Sequence, residues 1–399
     1  METREVVIVG AGAAGLATGA LLRRAGGEPL VLEAGPEPGA AWRARYDRLH
    51  LHTPRLLSGL PERRIPRRYG RWVARDDVIA YLQDYAKAER LDVRTGTAVG
   101  RIDPDGDGWL LALPDGPLRA GTVIVATGYN GAPWVPDWPG RDGFPGELVH
   151  SSEYRNPEPY RGRDVLVVGA GNSGAEIATD LAEGGASSSR LSVRTPPHIV
   201  FRQQNGIANP VLGVLFRHLP VPVFDAIARQ LRKLTVGDLA EFGLETPTEG
   251  LYKRVQRDGA IPLVDMGFLE ALKAGKVSIV AAVVGFEGDR VLLADGETLV
   301  VDAVIAATGY QRALAPLVGH LGVLTAEGRP AVRGRHTGTG APNLWFTGFT
   351  NPVSGAFREA GIDAKRIARA VLRERRSGVV DALRVTAPRV VPGREPVRR

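Results

Sequence analysis

The chain has 399 residues, 44% hydrophobic and 24% charged, enough to bury a large core and to divide into two domains. It has no cysteine, which excludes disulfides, thiolate metal sites, cysteine nucleophiles and a redox-active dithiol. The net charge of +7 comes almost wholly from arginines spread along the chain, with lysine only at Lys87, Lys233, Lys253, Lys273, Lys276 and Lys365. That scatter argues against a nucleic-acid patch. The N-terminus enters a strand directly, and no run of about 20 apolar residues exists, so no signal peptide and no membrane span are expected. A cytoplasmic location is the simplest expectation.

Arg4-Glu-Val-Val-Ile-Val9 reads as a buried strand leading into Gly10-Ala-Gly12-Ala13-Ala14-Gly15, and Ala13 to Leu22 as a helix with one apolar face. In that context the first glycine permits the tight turn. The second lets the backbone approach a pyrophosphate, and the third lets helix and strand pack closely. A second strand, Pro29-Leu-Val-Leu-Glu33, ends in a carboxylate 23 residues past Gly10, close to the ~20 expected for a ribose ligand.

The pattern then repeats. Asp164-Val-Leu-Val-Val168 runs into Gly169-Ala-Gly171-Asn172-Ser173-Gly174 and a helix. The next strand, Arg190-Leu-Ser-Val-Arg194, ends in arginine where the first unit has glutamate. A carboxylate repels a 2′-phosphate and an arginine clamps it, so the first site suits FAD and the second NADPH. Two segments, Val123-Ile-Val-Ala126-Thr127-Gly128-Tyr129 and Val304-Ile-Ala-Ala-Thr308-Gly309-Tyr310, also match each other, each after an Asp-Gly hairpin signal. This predicts an internal duplication, each copy carrying a small β-meander and closing with the same strand. A last apolar run into Gly348 and a helical stretch, Ala360 to Arg373, would return the chain to the first unit.

Between the fingerprints lies Phe144-Pro-Gly146-Glu-Leu-Val-His150-Ser-Ser-Glu-Tyr154. With that string the chain resembles the class B flavin-containing monooxygenases, over nearly its whole length. Tyr154 argues against the Baeyer–Villiger branch, which usually has tryptophan there. Tyr46 to Arg55, Ile79 to Ala86, Gly169 to Glu176 and Asp302 to Tyr310 are similar to the plant YUCCA-type enzymes, which convert indole-3-pyruvate to indole-3-acetate. Leu51-His52 stands where many N-oxygenating members carry a Thr-Asn pair, and Gly39-Ala40-Ala41-Trp42 has lost one family glycine.

The resemblance implies an α/β fold of two Rossmann-like, glutathione-reductase-like domains. FAD would occupy residues 1–157 and 308–385, NADPH the inserted residues 158–307 with a further insert at 200–260, and 386–399 would be a flexible tail. It implies a monooxygenase that inserts one atom of O2 into a small organic substrate through a C4a-(hydro)peroxyflavin. Oxidative decarboxylation of an α-keto acid is a narrower alternative, and a flavin-binding redox sensor an alternative of another class. FAD is expected at Gly10, Gly12, Ala13, Ala14, Gly15, Glu33, Ala34, Trp42, His52, Val99, Ala126, Thr127, Gly128 and Gly348. NADPH is expected at Gly169, Gly171, Asn172, Ser173, Gly174, Arg194, Thr308, Gly309 and Tyr310. No metal site is expected, and a homodimer is left open. His50 and His52, two apart, would share one face of a strand, with His52 favoured as the flavin-side residue. Trp42 packs either on the flavin or in the core. His150 is expected to act in the NADP(H)-bound form.

Overall fold

A computed structural model describes residues 1–204, 206–208 and 219–386 of the chain. The first apolar run forms β1 (Glu2–Val9), followed by α1 (Ala13–Arg24) and β2 (Leu30–Leu32). The short helix α2 (Ala40–Arg43) and α3 (Arg75–Ala88) precede β3 (Asp92–Arg94), β4 (Arg101–Asp105), β5 (Gly108–Ala112) and β6 (Leu118–Val125). The sheet order is β3-β2-β1-β6-β5-β4, with the late strand Leu344–Phe346 also on β6. Val7 stands opposite Leu30 on one side and Val123 on the other, in parallel register. Parallel strands covered on both faces need unbroken apolar sequence, which explains why the inner halves of β1 and β6 do not alternate.

The second unit repeats the plan with strand Asp164–Val168, helix α4 (Asn172–Glu183) and strand Ser188–Ser192. Its sheet is wholly parallel and adds Val277–Val280, Ala303–Ala306 and Glu147–His150. The closing strands occupy equivalent places, each beside its unit's first strand.

Two expectations need correction. The meanders are not equivalent. β6 is eight residues long, so it pairs with β5 along its first half and with β1 throughout, and the first meander belongs to the main sheet. In the second unit Val283–Glu287, Arg290–Leu293 and Thr298–Val300 form a separate antiparallel sheet, and the closing strand has only four residues. The string before the second fingerprint, which falls in the 1–157 stretch expected to hold FAD, supplies the edge strand Glu147–His150 of the second sheet, with His150 opposite Ala306. Its Glu-Leu-Val-His sequence is too short to show a strand period.

The returning chain packs helix Ala356–Thr386 on α1. Phe357, Ala360, Ala364 and Ile367 join Leu16, Ala17 and Ala20 in one buried cluster. Much of the apolar stretch 210–224 and nearly all of the 386–399 tail lie outside the described residues. The last residues of that stretch open a helix, Val221–Thr235. Among the described residues no helix is long and apolar enough to cross a membrane.

Candidate active site

Both glycine turns are built alike. Gly10 and Gly169 take φ of +110° and +115°, conformations that a side chain rarely adopts. A Cβ on Gly15 would lie 1.9 Å from the Gly10 carbonyl oxygen, and one on Gly174 1.8 Å from that of Gly169. Only glycine lets α1 and α4 start this close to their strands. By contrast, nothing lies within 4 Å of a Cβ placed on Gly12 or Gly171, so these two backbones face open space. Each then presents a helix N-terminus with free N–H groups and a positive dipole end to that space, which is what a pyrophosphate requires.

That space is one cavity of about 1000 Å³ running along both turns. Of the residues expected to hold nucleotide, Gly10, Gly12, Ala13, Ala14, Glu33, Ala34, Trp42, His52, Val99, Ala126, Thr127, Gly128 and Gly348 line it from the first unit. Gly171, Asn172, Ser173, Arg194, Thr308, Gly309 and Tyr310 line it from the second. Gly15 and Gly174 sit behind the wall as packing residues, and Gly169 faces an adjoining pocket of about 410 Å³ with Arg194, Thr195 and Arg254. The Glu33 carboxylate accepts from the Ala11 and Gly35 N–H groups at 2.7 and 2.8 Å, which fixes it at the cavity edge. Asn172 is less available than its place suggests. Its Oδ1 accepts from Val264 N–H at 2.6 Å and its Nδ2 donates to Pro262 at 3.3 Å.

Arg194 is exposed two residues beyond its strand, and no described carboxylate pairs with it. Replacing it with alanine is expected to raise KM for NADPH about tenfold while moving KM for NADH far less, as loss of a charge-assisted contact to a 2′-phosphate predicts. Steady-state kinetics with both nucleotides check this, and equal effects would remove the role.

The two Thr-Gly-Tyr segments have become two cation–π pairs. Arg312 lies 3.7 Å from the Tyr129 ring centroid and Arg45 lies 4.5 Å from that of Tyr310. Arg45 also donates to the Tyr310 hydroxyl. Neither arginine was expected at the site, although both line the cavity.

His150 does not line the cavity. It is buried, with its ring edge-on to Tyr310 at 4.8 Å. Its Nε2 donates to the Gly309 carbonyl at 2.9 Å and its Nδ1 accepts from Ser152 N–H at 3.0 Å. Burial lowers its pKa, which disfavours the charged ring. It braces the Gly309-Tyr310 turn instead of meeting a reactant. The rest of its motif also packs: Phe144 rests on Phe286 at 5.2 Å, Gly146 leaves room for the Phe144 ring, and the buried Tyr154 hydroxyl donates to Asp180 at 2.7 Å.

The segment around His50 and His52 is not a strand, because His50 makes only an isolated bridge to Ala74 and the chain bends after Leu51. Strand alternation therefore fails, and His50, Leu51 and His52 all line a second, largely apolar chamber of about 380 Å³. Of the two histidines only His52 also reaches the large cavity. Its Nε2 lies 2.6 Å from Oε1 of Glu176, a buried carboxylate on α4 whose Oε2 accepts from the Tyr46 hydroxyl at 3.1 Å. Glu176 was missed as a site residue. The available signal was the Glu176, Asp180, Glu183 row along α4, spaced to lie on one helix face. Trp42 lines both spaces and meets Phe357 edge-on at 5.9 Å, so it combines the two expected roles, wall and core.

The fold and the paired nucleotide turns define a flavoprotein with a second dinucleotide unit, and sequence comparison makes the class specific. The family described as "Flavin-binding monooxygenase-like" matches residues 118–321, and "Pyridine nucleotide-disulphide oxidoreductase" matches residues 7–197. Indole-3-pyruvate monooxygenase YUCCA1 of Oryza sativa subsp. japonica is 36% identical over 350 residues, covering 86% of each chain. The structure of a mutant flavin monooxygenase from Stenotrophomonas maltophilia superposes with a TM-score of 0.74 at 26% identity, covering 94% of this chain and 99% of that one. A structure of OTEMO with FAD and NADP shares the fold, with a TM-score of 0.71 at 19% identity, covering 94% of this chain and 86% of that one. The chain belongs to the flavin-binding monooxygenase family. It is an FAD- and NADPH-dependent monooxygenase.

Proposed function

We propose that this monooxygenase acts on a small, largely apolar 2-oxo acid, converting R–CH2–CO–COOH, O2, NADPH and H+ to R–CH2–COOH, CO2, H2O and NADP+. One observation carries this reading. The apolar chamber shares Trp42, Leu49, His52, Asn130, Ile261, Asn351, Ala356 and Phe357 with the cavity that runs along both glycine turns. A substrate in the chamber would therefore abut whatever ring system lies between the two units. The similarity to an indole-3-pyruvate monooxygenase supports the choice of acid.

The cavity fits the two nucleotides: bare backbone at Gly12 and Gly171, a fixed carboxylate at Glu33 and an exposed guanidinium at Arg194. When bound, they supply the hydride and the activation of O2. The protein's share is positional. Gly12 and Gly171 hold the two pyrophosphates at their helix ends, and Glu33 takes ribose hydroxyls. Arg45 and Arg312, stacked on Tyr310 and Tyr129, keep both strand ends in place. Trp42 and Phe357 close the chamber against water, and His52 is held at the junction by Glu176, ready to hydrogen-bond the reacting oxygen.

The test is turnover of an arylpyruvate by FAD-loaded protein under ¹⁸O₂. The expected result is one CO2 and one arylacetate per NADPH, with a single labelled oxygen in the acid. NADPH consumption matched by H2O2, with no arylacetate formed, would remove the reading.

A further inference from the structure

The chamber contains a cation where an apolar substrate would need none. On helix Val221–Thr235 the residues Phe224, Ile227, Ala228, Leu231, Arg232 and Thr235 all line it, a spacing that places them on one face. Arginine on an apolar stripe ordinarily extends its head to water. Arg232 is only half-buried, yet its Nε is buried inside the chamber and has no hydrogen-bond partner. On the facing wall His198 has the same defect, with Nε2 buried and unpartnered. Desolvation lowers the pKa of both groups, and the charge of Arg254, then to a smaller degree that of Arg232, depresses His198 further. No aspartate or glutamate is among the chamber's described lining residues. Asp238 and Asp225 act on the pair only through space, and Asp225 is engaged by the Tyr252 N–H at 2.6 Å. Two buried nitrogens, both short of a partner, in one chamber lined by aromatic side chains and no described acid, make an incomplete anion site.

We infer that Arg232, assisted by His198, receives the carboxylate of the substrate and sets specificity for an aromatic body carrying one anionic group. The inference rests on the 2-oxo acid reading and makes it specific to residues of this chain. The Arg232 guanidinium takes the carboxylate while Trp42, Phe224 and Phe357 enclose the ring. The oxo carbon then lies toward the junction at His52, where the chamber meets the large cavity. His198 completes the site when it takes up a proton, which an arriving anion favours by offsetting the Arg232 charge. One other anion is within reach. His198 also lines the pocket beside Arg194, where a nucleotide phosphate would lie, whereas Arg232 does not.

Binding to the oxidised FAD-loaded enzyme tests this without turnover. Calorimetric titration compares indole-3-acetate with indole-3-acetamide, which has the same shape without the charge. Native protein is expected to bind the acid at least about tenfold more tightly than the amide. Arg232→Gln should weaken the acid on the order of 10- to 100-fold and the amide by less than about threefold, with Arg232→Lys between native and Gln. FAD content and unfolding temperature establish that each variant folds, and the acid-to-amide ratio of native protein needs no variant. A native ratio near one, equal losses for both ligands, or a loss confined to KM for NADPH would each overturn the inference. Arylpyruvate turnover is scored separately. An Arg232-dependent acid preference without CO2 release keeps the anion site and removes the decarboxylation reading. CO2 release without that preference does the reverse.

Discussion

Gly174→Ala is expected to lower kcat/KM for NADPH by about 100-fold or more while the protein keeps its full complement of FAD. The added Cβ would sit 1.8 Å from the Gly169 carbonyl oxygen, and the next obstacles are the Gly169 carbonyl carbon at 3.0 Å and the Ala307 Cβ at 3.4 Å. None of these is a flexible side-chain end, so α4 must move away from its strand by an ångström or more. A displacement of that size at groups that position a reactant costs about 10²-fold in rate. Here it would carry the helix N-terminus and Ser173 off the pyrophosphate position. The flavin-side turn belongs to a separate sheet and should be untouched. Anaerobic stopped-flow bleaching of the flavin measures the reductive step, and visible absorbance measures FAD content. Gly15→Ala, with its Cβ 1.9 Å from the Gly10 carbonyl oxygen, makes the matched control and should yield protein that fails to hold FAD. Near-native reduction of the Gly174 variant would show that α4 does not position NADPH.

The pair of variants shows which parts of the fold were legible in the sequence. Two strand–glycine–helix units, their order and the opposite charges at their strand ends are local patterns, and each survived because the geometry that requires them is also local. Residues supplied across the fold were harder to read. His52 is a loop residue whose partner, Glu176, is 124 positions away, and two-residue spacing suggested a strand that the bend after Leu51 removes. His150 sits in the string that labels the family, yet it braces Gly309 and Tyr310, about 160 positions further on. Arg232 lies on the helix Val221–Thr235, inside the 200–260 insert, where no site residue was expected. Its missing partner is a property of the folded chamber and has no counterpart in the sequence. The meanders were misjudged for a related reason, since strand length decides whether a hairpin joins the main sheet, and turn signals do not report length.

Glu176→Ala should lower stability by about 3 kcal/mol and divert electrons from NADPH to H2O2. The reason is the row of acids on α4. Glu176 accepts from Tyr46 and pairs with His52, Asp180 accepts from Tyr154 and from Arg48 at 3.1 Å, and Glu183 accepts from Arg48 at 2.9 Å. Through these contacts the helix that faces the second nucleotide grips the 46–52 segment that faces the first. Burial, and then the Glu176 charge, raises the pKa of Tyr46 well above its usual value, so its hydroxyl remains a donor at any working pH. Removing Glu176 leaves that buried hydroxyl and the His52 ring without their partner, and a lost buried partner costs more than the bond contributes. An unfolding midpoint lower by about 5 °C follows for a domain of this size. The second consequence is functional. With His52 free to turn, water gains entry at the junction of the chamber and the cavity, and reducing equivalents leave as H2O2 instead of entering product. Glu176→Gln separates the two effects. The amide keeps an acceptor for Tyr46 and most of the stability, but it gives up the charge that holds His52. Peroxide yield per NADPH should therefore rise in both variants, and the midpoint should fall chiefly in the alanine one. A native midpoint together with native coupling in Glu176→Ala would show that the contact between the units is incidental.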